Sequence, residues 1–147
     1  MKRSLIGFFA LSVIGCSYHP FPSRVSDAKK AVVAFLIDYA RIQTITKNAS
    51  GEYQPQLQVD GSSPDWTALS ADYDRVIASE YSCRFNADKS TFAVTCVPDP
   101  KSGLQLSFFL DQSLAIRLSG GIAGPRSSRL WLTADEERKL FEFSDAR

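Results

Sequence analysis

From Ser26 to about Lys47, apolar residues recur at three- and four-residue spacing: Ala28, Val32, Phe35, Tyr39 and Ile42. Lys29, Lys30, Asp38 and Arg41 fall largely on the opposite side, so the segment predicts an amphipathic helix with one buried stripe. Ser26 is the expected N-cap with Asp27 in the first turn, and Asn48 to Gly51 ends the helix. A shorter helix is predicted over about residues 68–79, where Leu69, Tyr73, Val76 and Ile77 share a face behind Ser62-Ser63-Pro64.

The period then changes from helical to alternating. Tyr81-Ser-Cys-Arg-Phe85 and Thr91-Phe-Ala-Val-Thr-Cys96 flank the turn-like Asn86-Ala-Asp-Lys-Ser90, a β-hairpin pattern. Placing Cys83 opposite Cys96 also places Phe85 opposite Val94 and centres the turn on Lys89 and Ser90. In that register Tyr81, Cys83, Phe85, Phe92, Val94 and Cys96 share one face, while Ser82, Arg84 and Thr95 point away. A one-residue slip would turn every apolar side chain outward, so pairing the cysteines and burying the face select the same register.

A third strand is predicted from about Leu104 to Leu110 and a fourth from about Ala115 to Leu118, joined at Asp111-Gln-Ser113. Phe109 breaks the pattern, a large aromatic on the nominally outer face. It either sits under the long C-terminal segment or forms part of a contact surface. Gly120, Gly121, Gly124 and Pro125 make a crossing, after which Trp131 and Leu132 are expected on the core. Thr133-Ala-Asp-Glu136 resembles a capping box and opens a short helix carrying Leu140, Phe141 and Phe143. The predicted class is α+β: an N-terminal helix on a four-stranded antiparallel meander, with a short second helix and a short C-terminal helix.

Ahead of this domain, Lys2 and Arg3 precede an apolar run from Leu5 to Ile14. That is a secretory signal in outline, and about half the roughly 20 apolar residues that a membrane span requires. Val13-Ile14-Gly15-Cys16 resembles the lipobox of bacterial lipoproteins, although leucine is usual where Val13 stands. The resemblance implies a signal peptide over residues 1–15, acylation of Cys16, a tether over residues 16–25 and one domain over residues 26–147. Several acyl chains hold a protein stably on a membrane, each buried CH₂ contributing about 0.8 kcal/mol. Ser17 in place of an aspartate resembles the pattern of lipoproteins sorted to an outer membrane, so a lipid-anchored cell-envelope location is expected.

Charge and chemistry narrow the function. Removing Lys2 and Arg3 from the 17 basic residues leaves 15 against 16 acidic ones, so no basic excess remains for a nucleic-acid partner. Export favours a structural bridge between Cys83 and Cys96. A redox pair or metal site fits less well, since the spacing is not C-x-x-C and the single histidine, His19, lies in the tether. No serine has a histidine within the domain to activate it. Asp72 with Asp74, and Asp135 with Glu136 and Glu137, read as solvated or capping carboxylates rather than acid–base pairs. Ser119-Gly-Gly-Ile-Ala-Gly124 reads as a loop, and no cofactor or metal is expected. Trp66, Phe109 and Trp131 remain as candidate contact residues.

Three stretches carry a second resemblance: Tyr39-Ala40 and Gln43 running into Gly51-Glu-Tyr53, Thr91-Phe-Ala-Val-Thr-Cys-Val-Pro98, and Ser107-Phe-Phe-Leu-Asp-Gln-Ser-Leu-Ala-Ile-Arg117. Together they resemble the globular heads of type IV pilins and type II secretion pseudopilins. The departures are that the apolar run ends at Ile14, too short for a filament-forming helix, that Leu114 stands where these hairpins usually carry glycine, and that no calcium-ligand cluster matches. The favoured expectation is a non-enzymatic, lipid-anchored pilin-like head that docks on an envelope protein. The alternative is a small-ligand or saccharide-binding module using Trp66, Trp131 and acidic residues.

Overall fold

The computed structural model describes residues 23–54 and 64–141. Cys16, the signal and nearly all of the tether lie outside the described residues, as does Phe143. The first helix, α1, runs Ser23–Ser50, three residues beyond the prediction at each end. Nothing in Ser23 to Val25 opposes a helix, so Ser26 lies inside α1 rather than capping it. At the other end Gly51 takes φ +79°, and its N–H donates to the Lys47 carbonyl at 2.8 Å. This is the left-handed C-terminal closure that glycine adopts without a Cβ penalty.

The buried face of α1 is wider than the predicted stripe, adding Val33, Leu36, Ile37, Ala40 and Gln43. The reason is tertiary: α1 meets the sheet, the second helix and the C-terminal helix together. The second helix, α2, spans Pro64–Asp72 and passes into one π-helical turn, Tyr73–Ile77, closed by the Ala78 N–H on the Tyr73 carbonyl at 2.9 Å. It begins four residues before the predicted start, with its proline at the end where the missing N–H removes no helical bond. The wider turn brings Tyr73 to the sheet, where its hydroxyl accepts from the Cys83 N–H at 3.3 Å.

Strands β1 (Tyr81–Ala87) and β2 (Phe92–Pro98) pair with Cys83 opposite Cys96 and Phe85 opposite Val94, and the two cysteines form a disulfide. Next come β3 (Ser107–Asp111), β4 (Arg117–Ser119) and β5 (Ser128–Arg129). The antiparallel sheet therefore has five strands in the order β1-β2-β3-β4-β5, not four. Two residues of β5 are too few for an alternating pattern to register. Strand β3 also starts later than predicted. The β2–β3 register would set Leu106 against Pro98, which has no N–H to donate, so the ladder stops short of it.

Helix α3 covers Ala134–Phe141. Its capping box is formed: the Thr133 N–H donates to Glu136 Oε2 at 2.8 Å, and the Glu136 N–H to Thr133 Oγ1 at 3.3 Å. Leu140 joins the core that Tyr39, Phe92, Phe108, Leu110 and Ile116 dominate between α1 and the sheet.

Candidate interaction surface

The face of the sheet turned away from α1 follows from the register. Thr95, Phe109, Arg117 and Arg129 stand opposite one another on successive strands. Residues 120–127 fold back across this face, because Ser107 Oγ accepts the Ala123 N–H at 2.8 Å and itself meets the Ser119 and Gly121 carbonyls. Phe109 is thereby buried, at 6 % exposure, beside a shallow depression of about 380 Å³ that Pro125 and Asp111 also line. It occupies the covered position of the two foreseen, buried rather than at the surface.

Trp66 is buried too. At 4 % exposure it packs edge-on against Tyr39 with ring centroids 5.9 Å apart, and its indole N–H donates to Thr46 Oγ1 at 3.2 Å. Trp131 departs from its expected core position in the opposite direction, standing 85 % exposed while Leu130 and Leu132 turn inward. Side chains of an extended chain alternate, so with Leu130 and Leu132 both packed on the core Trp131 between them must point outward. Of the three candidate aromatics, Trp131 alone is at the surface.

Its neighbours are cationic. Arg117 and Arg129 are cross-strand partners, Arg117 Nη1 donates to the Ser127 carbonyl at 3.0 Å, and Arg126 precedes that residue. Among the described residues, none of Arg117, Arg126 and Arg129 has a carboxylate within ion-pair distance. This cluster was missed in the sequence because its members are separated by the glycine-rich crossing. Only the pairing of β4 with β5 brings them together.

Elsewhere the polar groups serve the fold. The Asp88 carboxylate accepts from the Ser90 and Thr91 backbone N–H groups and from both hydroxyls, which holds its pKa down to about 2. Asp72 pairs with Arg75 at 2.6 Å, and Asp135 with Arg138 and Lys139 at 2.6 and 2.9 Å. Partial burial raises the pKa of Asp38, against the opposing pull of Arg41 and with a further push from Asp72. Gln43, fully buried, donates to the Tyr39 hydroxyl at 2.8 Å and the Gln54 carbonyl at 2.7 Å, and accepts the Gln54 N–H at 2.9 Å. Tyr53 next to it packs edge-on to Phe92 and lies 5.1 Å from the Lys47 ammonium.

Among the described residues, no group of three or more His, Cys, Asp or Glu side chains is placed to hold a metal ion. Nor is any helix there long and apolar enough to cross a membrane. Compared with protein families, curated proteins and solved structures, the chain matches none.

Proposed function

We propose that this chain is a lipid-anchored envelope protein whose folded part is a non-enzymatic, pilin-like interaction head. The observation that carries the reading is the partition of its cysteines. The sequence has three; two are joined to each other between β1 and β2, and the remaining one is Cys16, at the end of the apolar leader and in the lipobox-like Val13-Ile14-Gly15-Cys16. A cross-strand disulfide persists in an oxidising compartment, and an acylated cysteine is the anchor that export would leave.

The pilin-like element of the proposal draws on the same stretches as the sequence resemblance. Gln43 clamps the backbone that follows α1 at Gln54, Thr91 to Pro98 contains the central strand β2, and Ser107 to Arg117 contains β3 and its turn. Leu114, at the position where glycine is usual, has φ +59°, the left-handed conformation glycine would supply. An envelope protein partner would add to the outer edge of β1 beyond Cys83, where, among the described residues, Phe85 to Ala87 have a strand on their β2 side only.

The test is the intact mass of the protein purified from its native membrane, before and after reduction. The expected mass is residues 16–147 plus acyl chains, rising by two hydrogens on reduction. A chain without acyl groups, or with another N-terminus, sinks the proposal.

A further inference from the structure

The outer face of the sheet ends, at β4 and β5, in a surface whose composition differs from the rest of the molecule. Trp131 and Ile122 are the most exposed large apolar residues described, at 85 % and 79 %, whereas Ile45 and Phe141 follow at 37 %. Both lie within residues 117–131, the segment that also carries Arg117, Arg126 and Arg129. The sheet geometry puts Arg117, Arg129 and Trp131 on one face, and the segment 120–127, which carries Ile122 and Arg126, folds back on that side. Leu118 and Leu130 turn to the core, so Arg117, Arg129 and Trp131 emerge on the opposite side. Continuing the β4–β5 register sets Trp131 opposite Ala115.

Ile122 adjoins Ala123, which is tied to Ser107 at the Ser119 end of β4. The two apolar side chains therefore mark opposite ends of a stripe four residues of strand long, about 13 Å, with the arginines between them. Asp111 lies on the same face but two strands inward, half-buried, with its carboxylate bonded to Ser113.

We infer that this stripe is a membrane-contact surface, which lies on an anionic bilayer with Trp131 and Ile122 in the headgroup region and Arg117, Arg126 and Arg129 against lipid phosphates. The charge is local, since the chain as a whole is near neutral, and it lacks partner carboxylates among the described residues. Tryptophan is the residue that places an apolar body and an N–H donor at the headgroup level, and arginine extends its apolar stem towards phosphate. At their exposure the two apolar side chains stand free rather than line a groove for a partner's side chain, which favours a fluid interface over a protein pocket. The inference deepens the envelope reading above but does not need the acyl chains.

The test uses the full-length protein with vesicles of phosphatidylcholine alone or with ~30 mol % phosphatidylglycerol, their acyl chains brominated, and reads tryptophan emission. Trp131 emission is expected to move to the blue and be quenched on the anionic vesicles, while the buried Trp66 is not quenched and Trp131→Phe abolishes the response. Replacing both Arg126 and Arg129 with glutamine weakens vesicle binding of the non-acylated form roughly 30-fold, each lost cation being worth about a factor of five. Both arginines are exposed, so that variant retains the fold.

Acylated protein whose Trp131 emission on anionic vesicles equals that in buffer overturns this inference and leaves the anchor intact. So does quenching that is the same on both vesicles and indifferent to the arginines. Protein that carries no acyl groups when purified from its native membrane, and whose Trp131 is still quenched on anionic vesicles, overturns the anchor and sustains the surface.

Discussion

Replacing Gln43 with leucine keeps the volume of a fully buried side chain and deletes all its polar atoms. Three hydrogen bonds go with it, one to the Tyr39 hydroxyl and two to the backbone of Gln54. Tyr39 is itself fully buried, so its hydroxyl loses a partner that water cannot replace, at about 1–3 kcal/mol. The half-buried Gln54 groups can turn to solvent, which limits their loss to about 0.5–1 kcal/mol each. Against this stands the gain from a more apolar buried side chain, on the order of 1 kcal/mol. The net expectation is a destabilisation of about 2 kcal/mol, or roughly 8 °C in Tm for a domain of this size. Urea unfolding with the disulfide intact measures it, and an unchanged m-value would show that only the native state is affected. The double variant with Tyr39→Phe isolates the cause. With no hydroxyl left to orphan, it should recover about 1 kcal/mol relative to the Gln43→Leu single variant. A single variant within 0.5 kcal/mol of wild type would falsify the clamp as a stabilising element, as would a double variant no more stable than the single.

Three other outcomes follow from the same structure. Replacing both Cys83 and Cys96 with alanine opens a loop with a sequence separation of 13, so the chain-entropy estimate is a loss of about 3 kcal/mol; an unaltered Tm under reductant would refute it. Burial raises the Tyr39 pKa to about 12 from 10.0, partly opposed by the Gln43 bond, so the folded state keeps a proton that the unfolded state releases. Stability is then complete below pH 10 and falls by about 2–3 kcal/mol as pH rises through 12, and Tyr39→Phe should flatten that limb. Asp88 has the opposite sign: its folded pKa of about 2 lies below the ordinary 3.8, so its contribution is present above 3.8 and lost as pH falls through 2. Acid titration of Asp88→Asn should lack that component, and an identical acid limb would contradict the assignment.

What was legible in the sequence was whatever repeats within one element. The hairpin register could be derived because two independent constraints, a cysteine pair and an apolar face, selected the same alignment. The capping box at Thr133 and Glu136 was legible for a related reason, as a local exchange of two hydrogen bonds. Features that depend on a neighbour's identity were not. The width of the buried face of α1 is set by α2 and α3, and the late start of β3 by a proline one strand away. The π-helical turn at Tyr73 leaves no period of its own in five residues. The fifth strand, two residues long, exists because the Leu130 N–H reaches the Ile116 carbonyl at 2.8 Å.

The same distinction explains the candidate aromatics. Trp66, Phe109 and Trp131 share a residue type but not an environment, which the fold sets separately for each. Phe109 is off the stripe and buried, because residues 120–127 fold over it. Trp131 was assigned to the core and is exposed, because the alternation that buries Leu130 leaves it outside. Its cationic surroundings are a property of the fold: Arg117 and Arg129, twelve positions apart in the chain, become direct cross-strand neighbours. Like charges in that relation oppose folding, and no carboxylate among the described residues relieves the repulsion. The adjacent tryptophan is left in water as well. Two unfavourable features that coincide on one face, uncompensated among the described residues, are what the inferred membrane contact would offset. A layer of lipid phosphates over an apolar interior would meet both at once.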